Sequence, residues 1–292
     1  MELPAEFVRH NQVDRDWLAA LPRLLESLAR WWSIAVDPPF NGICINYVAP
    51  ATRADGTRCV VKLSRHIEET QNEIAALRLW DGRGAAGLLE EDAQRGALLL
   101  ERIEPGDMLS RLSETDDDAA TLIAARVLRE LWRPLTEPHG LRSLASWCAG
   151  YERNRAALSG GAGGFPAGLF QRADTLRCEL LDSTEEAVAL HGDLHHFNVL
   201  WSDQHQAWRA IDPKGLHGDR CFDVCQFFRN PGPVPAEVNR RRLDIFCAEL
   251  DLDRRRTKDW CLVHAVLDAC WQFEDGEPWQ ETVAYAEATT TW

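Results

Sequence analysis

The chain of 292 residues is short of lysine, of positive charge and of long apolar runs. Only three of its 32 basic residues are lysines, and its 46 acidic residues leave a net charge of −14. A protein that binds a nucleic-acid backbone needs a basic surface, so this balance argues against that class and favours a cationic small-molecule partner. No run approaches the roughly 18 apolar residues of a membrane span. The acidic N-terminus also lacks the apolar segment of a signal peptide. We therefore expect a protein that binds neither nucleic acid nor a membrane.

The cysteine content indicates a reducing compartment. The nine cysteines are an odd number and include no C-x-x-C pair. Cys221 and Cys225 are four residues apart and flanked by phenylalanines, which predicts buried thiols on a helix. A cytoplasmic protein fits this usage better than a disulfide scaffold does. We expect a monomer.

The hydrophobic pattern divides the chain into two unequal parts, as its length also suggests. Residues 1–36 have helical periodicity, with Asp14 or Asp16 as the cap, and residues 37–104 predict a small sheet with one helix. From residue 105 to 292 the pattern is mostly helical. We therefore predict an α+β fold whose two lobes are 1–104 and 105–292.

The expected elements follow from apolar periodicity and from turn and cap residues. The predicted strands cover 43–48, 58–63, 97–101 and 187–191, with a hairpin made of 198–201 and 208–211. The predicted helices cover 67–80, 115–133 with Thr115 opening a capping box, 144–158, 169–181, 222–228, 236–250 and 257–273.

A dense polar cluster follows one predicted buried strand. The segment HGDLHHFN spans residues 191–198, and Asp212 follows Asp193 by nineteen residues at the end of the predicted hairpin. Phosphoryl transfer needs a carboxylate that takes the proton of the acceptor hydroxyl, and oxygen ligands for Mg²⁺. Asp193 suits the first role, while Asn198 and Asp212 suit the second.

A matching basic group lies upstream on the predicted small sheet. Lys62 ends a strand, and Glu73 follows eleven residues later on the next helix. An ion pair between them would direct the ammonium group toward the α- and β-phosphates of a nucleotide. Glu68 and Glu69 are weaker partners because acids at a helix start are common caps. Lys214 fits either a phosphate or substrate contact or a surface lysine.

With these residues the sequence resembles the aminoglycoside and hydroxyurea antibiotic-resistance kinases of the streptomycin 6-phosphotransferase type. The resemblance covers residues 14–230 and is carried by PFNG (39–42), YVAPATRADG (47–56), AALRLWDGRGA (75–85), ALLLER (97–102), HGDLHH (191–196), NVL (198–200), AIDPK (210–214) and GDR (218–220). It implies a protein-kinase-like fold with a small antiparallel-sheet lobe and a mostly helical lobe. It also implies an enzyme that moves the γ-phosphate of ATP to a hydroxyl of an aminoglycoside such as streptomycin, with Mg²⁺ as the metal.

The resemblance also implies a role for each residue that matches the family motifs. The base would be Asp193, the metal ligands Asn198 and Asp212, and the nucleotide contacts Lys62, Glu73, Gly42 and a hinge from Glu101 to Ile103. His191 and Asp223 would support the catalytic loop.

Other interpretations of the same residues stay open. The three histidines His191, His195 and His196, with Asp193 and Asp212, could form a hydrolase metal site. A kinase for an unrelated metabolite would use the same motifs. The nucleotide loop at 42–46 has one glycine, which favours a third alternative, a catalytically weak binding protein of kinase fold.

A stretch near the C-terminus combines acids with aromatic residues and has no basic residue. It covers residues 268–287. Carboxylates beside aromatic faces would suit a cationic sugar, whereas a solvated acidic helix end is the plainer alternative. The candidate acceptor contacts are Asp268, Trp271, Glu274 and Asp275.

Overall fold

The computed structural model describes residues 3–41, 45–135 and 138–292. The described helices are α1 (Ala5–His10), α2 (Arg15–Trp31), α3 (Ile67–Trp80), α4 (Leu109–Ser113), α5 (Asp117–Leu131), α6 (Leu144–Trp147), α7 (Gly150–Leu158), α8 (Ala167–Asp182), α9 (Ala236–Leu250), α10 (Arg254–Glu274) and α11 (Gln280–Ala288). The described strands are β1 (Ile34–Val36), β2 (Tyr47–Arg53), β3 (Arg58–Leu63), β4 (Leu88–Asp92), β5 (Ala97–Glu101), β6 (Pro105–Met108), β7 (Arg142–Ser143), β8 (Val188–Leu190), β9 (Val199–Ser202), β10 (Ala207–Ala210) and β11 (Leu216–Gly218). Within the described ranges, no helix combines the length and apolar character needed to cross a membrane.

The first five strands form one antiparallel sheet in the order β1-β2-β3-β5-β4. Strand residues alternate between the two faces of a sheet. Cys59, Val61 and Leu63 of β3 are buried against α2, so Lys62 and Val60 point to the other face. This alternation directs Lys62 toward the rest of the molecule.

Helix α2 covers the outer face of that sheet. The Asp14 side chain accepts a hydrogen bond from the Trp17 backbone N–H and caps the helix. Leu21, Leu25 and Leu28 recur at helical spacing and are buried in a small core with β2, β3 and β5. Each such leucine contributes about 1.5–3 kcal/mol of burial free energy.

The helical part has its own larger core, and α3 belongs to it. Ile74, Leu77 and Trp80 of α3 pack in this core with α5 and α10. The Trp80 indole also donates to the Leu131 carbonyl of α5 at 2.8 Å. The hairpin of β9 and β10 pairs with β6, and β8 pairs with β11. Helix α3 thus ties the small sheet to the helical lobe.

The prediction of an α+β fold is confirmed, and several elements match closely. The predicted ranges 58–63, 67–80, 97–101 and 236–250 are the bounds of β3, α3, β5 and α9. The boundary at residue 104 between two lobes stays a prediction.

Other element predictions were wrong in part. The N-terminal helix ends at Trp31 because Ser33 has a φ of 54° and the next residues pair with β2 as β1. Asp116, and not Thr115, caps α5 by accepting from the Ala119 N–H. A single helix over 144–158 was wrong, because the chain forms α6 and α7 with a break between Trp147 and Gly150. Gly150 packs closely on α10, where an added Cβ would lie 2.9 Å from Leu267. Strands β1, β4, β6, β7 and β11 and helices α4 and α11 were not predicted.

Candidate active site

The predicted ion pair of Lys62 and Glu73 is present and buried. The Lys62 ammonium donates to both Glu73 carboxylate oxygens, at 2.8 and 2.7 Å, and each residue is 5% exposed. Burial raises the pKa of Glu73, while the Lys62 charge opposes that shift. A buried pair of this kind is costly to break because one charge would be left without a partner. The side chain of Lys62 is therefore held in one direction.

Asp212 joins this pair from the other lobe. Its carboxylate accepts a short hydrogen bond from the Lys62 ammonium. The charge of Lys62 holds the pKa of Asp212 well below its usual range. Burial alone would lower the pKa of Lys62, but Asp212 and Glu73 outweigh it and keep the lysine charged. Lys62 thus connects β3 of the small sheet with the residue that follows β10.

The loop after β8 is fixed by the buried carboxylate of Asp223. That carboxylate accepts from the backbone N–H groups of His191, at 3.0 Å, and Gly192, at 2.7 Å. It also accepts from the Trp132 indole at 3.0 Å. Gly192 has a φ of +81°, and an added Cβ would lie 2.9 Å from Leu216. The loop conformation therefore requires both Asp223 and a glycine at this position.

His191 packs beneath the loop through both ring nitrogens. Its Nε2 is 3.0 Å from the Ile211 carbonyl oxygen, and its Nδ1 accepts from the Asp193 N–H at 3.2 Å. The ring also stacks on Trp80. Burial lowers the pKa of His191 to about 3, so the ring is neutral at physiological pH.

Asp193 and Asn198 face the same space as Asp212. Burial raises the pKa of Asp193 to about 7, against the opposing charge of Lys214 and a hydrogen bond from Gln226. The side-chain amide nitrogen of Asn198 donates to the backbone carbonyl of Asp193 at 3.0 Å, and the backbone carbonyl of Asn198 accepts from the Ile211 N–H at 2.9 Å. These bonds place the end of β10 beside the loop.

The donor set of Asn198 and Asp212 suits a hard divalent cation. Because the Asn198 amide nitrogen is used by the loop, its side-chain oxygen is the atom left to act as a ligand. Asp212 keeps a second carboxylate oxygen beside the one that contacts Lys62, and its side chain is 40% exposed. Amide and carboxylate oxygens are the ligands that Mg²⁺ prefers.

Comparison with known proteins decides what kind of protein carries this site. Residues 32–276 match the family model described as aminoglycoside/hydroxyurea antibiotic resistance kinase. The chain belongs to that family. This kinase is 36% identical to a hydroxyurea phosphotransferase of Kitasatospora aureofaciens over 95% of its own length and 82% of the relative. It is 34% identical to a streptomycin 6-kinase of Streptomyces glaucescens over 94% of its own length and 90% of the relative. It is a small-molecule phosphotransferase, as the sequence predicted.

Solved structures show the protein-kinase-like fold. A choline kinase from Streptococcus pneumoniae superposes with a TM-score of 0.62 and 15% identity, over 93% of the kinase and 99% of that chain. An aminoglycoside phosphotransferase in complex with ADP and hygromycin B gives a TM-score of 0.63 and 14% identity, over 90% and 95%. The two-lobed fold class is thereby confirmed.

Partly buried apolar residues neighbour Lys62 on the inner face of the sheet. Val48 lies opposite Lys62 in the β2–β3 register, and Leu100 lies opposite Val60. Both Val48 and Val60 are half-buried, as is Leu200 of β9. Apolar side chains that are only partly covered suit the faces of an adenine ring.

The predicted hinge follows the end of β5 in the same sheet. The Glu101 carboxylate accepts from the Gly87 N–H at 3.0 Å and contacts His205 of the β9–β10 turn, while Ile103 is buried. The contact of Glu101 with His205 links the two lobes beside the hinge. The role of Glu101 and Ile103 in nucleotide binding stays a prediction, and Gly42 lies outside the described residues.

Two acids of the stretch near the C-terminus are paired within the kinase. Asp268 pairs with Arg229, and Glu274 accepts from Arg153 at 2.7 and 2.9 Å. Trp271 packs edge-on against Trp147 with ring centroids 5.2 Å apart, and Asp275 is the exposed cap of α10. Asp268 and Glu274 therefore lack the free charge that the acceptor hypothesis assumed. Their acceptor role stays a prediction.

The geometry disfavours the hydrolase interpretation. Both ring nitrogens of His191 are engaged in holding the loop, and His196 is fully buried against Phe227 with centroids 3.8 Å apart. In the part of the chain that is described, no three His, Cys, Asp or Glu side chains are grouped as a metal site.

Sequence reasoning missed Gln226, whose side chain lowers the pKa of Asp193. It belongs to a 3-10 helix over Cys225–Arg229, three residues beyond Asp223. No motif marks this residue, so only the fold could place it. Cys221 and Cys225 are buried as predicted, on neighbouring 3-10 helices and not on one α-helix.

Proposed function

We propose that this kinase transfers the γ-phosphate of ATP to a hydroxyl group of streptomycin. The observation that carries the proposal is the contact of Lys62 with both Glu73 and Asp212, beside Asn198 and Asp193. This set unites a phosphate-binding cation, two oxygen ligands and a base, which are the parts that phosphoryl transfer needs.

Asp193 is the group that accepts the proton of the acceptor hydroxyl. The acceptor oxygen forms a bond to the γ-phosphorus while the bond from that phosphorus to the β-bridging oxygen breaks, which releases ADP. A pKa of about 7 suits a general base that works near neutral pH. Gln226 lowers the pKa of Asp193 and so favours the carboxylate form that accepts the proton.

Lys62 neutralises charge on the α- and β-phosphates, and Glu73 keeps it aimed. Asn198 and Asp212 would hold Mg²⁺. That ion, when bound, neutralises phosphate charge and orients the nucleotide. The half-buried Val48, Val60 and Leu200 enclose the adenine ring.

Hydroxyurea is the second candidate acceptor. It is favoured by the 36% identical hydroxyurea phosphotransferase and by the pairing of Asp268 and Glu274 with arginines. Those pairs leave less free negative charge for a cationic sugar. Streptomycin stays first because the other two curated relatives that are at least 33% identical are both streptomycin 6-kinases.

The test is ATP-dependent phosphorylation of streptomycin, hygromycin B and hydroxyurea by the purified chain. ADP release is measured by a coupled assay, and each product is identified by mass spectrometry. A phosphorylated streptomycin supports the proposal, and a phosphorylated hydroxyurea alone selects the second candidate.

Glu69→Gln serves as a matched control, because Glu69 is an exposed acid on the first turn of α3 that bonds neither Lys62 nor Asp212. It removes a charge near the site and leaves the set of Lys62, Glu73 and Asp212 intact. Transfer that stays near the wild-type rate in this variant, and collapses in Asp193→Asn, assigns the chemistry to the proposed set.

A further inference from the structure

Lys214 is one of only three lysines in the chain, and it lies against the catalytic loop. Its backbone N–H donates to the His191 carbonyl at 2.7 Å. A Cβ added to Gly192 would lie 3.0 Å from the Lys214 Cβ. The stem of this lysine is therefore packed against the residue that immediately precedes Asp193.

The next residue fixes the same segment against α3. Gly215 has a φ of +63°, and an added Cβ would lie 2.0 Å from the Asn72 carbonyl oxygen. Asn72 directly precedes Glu73, the partner of Lys62. The segment of Lys214 and Gly215 is thus packed tightly between the catalytic loop and the helix that carries Glu73.

The charge of Lys214 affects two carboxyl groups of the site, although its ammonium group forms no ion pair with a carboxylate in the described ranges. Its charge lowers the pKa values of both Asp193 and Asp212. Lys62 contacts two carboxylates within 3 Å. By contrast, no carboxylate in the described ranges forms such an ion pair with Lys214, which is half-buried. A half-buried cation whose stem packs against the catalytic loop, and which forms no ion pair with a carboxylate in the described ranges, is suited to bind an anion.

We propose, on the basis of the phosphotransfer function above, that Lys214 contacts the γ-phosphoryl group and neutralises charge on its non-bridging oxygens during transfer. Lys62 is committed to Glu73 and Asp212, so Lys214 supplies a second protein cation for the γ-position. Negative charge in the transition state is spread over the three equatorial oxygens, where a cation supplied by the protein accelerates transfer. Lys214 stays protonated throughout and exchanges no atom with the substrate.

The test compares Lys214→Met and Lys214→Arg with Lys258→Met. Lys258 lies near the start of α10, outside the site, so its substitution makes the same chemical change elsewhere. Transfer kinetics give kcat and KM. Calorimetry measures the affinity for MgADP alone and for MgADP with fluoroaluminate, which mimics the transferring phosphoryl group. Thermal melting checks the fold, and Lys214→Gln replaces the methionine variant if the latter does not fold.

We expect Lys214→Met to lower kcat by about 100-fold or more. Its affinity for MgADP stays within about two-fold of the wild type, because ADP has no γ-phosphate, while the tightening by fluoroaluminate is lost. Lys214→Arg restores part of kcat and part of the tightening by fluoroaluminate, and Lys258→Met changes neither of these two quantities. A loss of MgADP affinity as large as the loss of kcat, or an unchanged fluoroaluminate effect, overturns the proposal.

Fluoroaluminate binding needs no acceptor, so the two proposals fail separately. If the wild-type kinase leaves streptomycin unmodified but its fluoroaluminate complex depends on Lys214, the proposed acceptor is wrong and the role of Lys214 stands. If streptomycin is phosphorylated at an unchanged rate by Lys214→Met, the role of Lys214 is wrong and the proposed function stands.

Discussion

At the scale of single residues, the site depends on which charged side chains are buried and which stay partly exposed. Lys62 and Glu73 are each 5% exposed, so water cannot solvate the charge of one residue if the other is removed. Asp212 is bound to the same ammonium but keeps an exposed side, which leaves it available to a metal ion. The buried pair therefore sets the direction of Lys62, and Asp212 adapts to what is bound.

Glu73→Gln tests that division of roles. The amide keeps the shape of the carboxylate but removes its charge, so Lys62 turns toward Asp212 and away from the phosphates. We expect kcat/KM for ATP to fall by about 10- to 100-fold, the scale of a misplaced catalytic group. Steady-state kinetics measure this, with Glu69→Gln as the control. Equal losses in the two variants would contradict the role of the ion pair.

Several chemistry-bearing residues could be predicted from the sequence because they lie near the ends of short strands. Lys62 is the last residue but one of β3, and Asp212 follows β10, so local pattern and spacing were enough. Gln226 could not be found this way, because its approach to Asp193 depends on how the chain turns after Asp223. The engagement of Asp268 by Arg229 is equally a matter of tertiary packing.

At the scale of elements, the loop after β8 is fixed by hydrogen bonds to the short segment that carries Asp223. Two backbone N–H groups and one indole N–H converge on that carboxylate. The predicted bounds matched those of α3 and α9. They failed where a tertiary contact decided the outcome, as for β1 pairing with β2.

Asp223→Asn is predicted to loosen this loop. The new amide nitrogen meets N–H donors in place of an acceptor, which leaves a buried donor unsatisfied and costs about 1–3 kcal/mol of unfolding free energy. Denaturant unfolding measures the loss, and kcat falls because Asp193 is less well placed. Asp203→Asn is the control, since Asp203 is an exposed acid whose carboxylate accepts from the neighbouring Trp201 indole at 2.7 Å. A variant as stable as this control would contradict the bracing role.

At the scale of the whole molecule, two cores and a strongly negative charge set the behaviour. Helix α3 carries Glu73 yet packs in the larger core, so the ion pair with Lys62 of β3 joins the two cores. The net charge of −14 creates a field that attracts cations from solution.

That charge predicts an effect of salt that differs between acceptors. Raising the ionic strength with KCl screens the attraction, so kcat/KM for the cationic streptomycin falls several-fold. The value for uncharged hydroxyurea, if it is also a substrate, stays constant. An acceptor-independent response, or a rise for streptomycin, would show that the field plays no part in acceptor capture.

The central claim is that Asp193 is the base of a kinase acting on streptomycin. The most direct measurement is the rate of phosphorylated streptomycin formation from ATP by the wild type and by Asp193→Asn, followed by mass spectrometry. We expect the variant to bind MgADP normally and to lose about 100- to 10,000-fold in kcat, the range of general-base catalysis. Transfer by the variant at a rate close to that of the wild type would contradict the account.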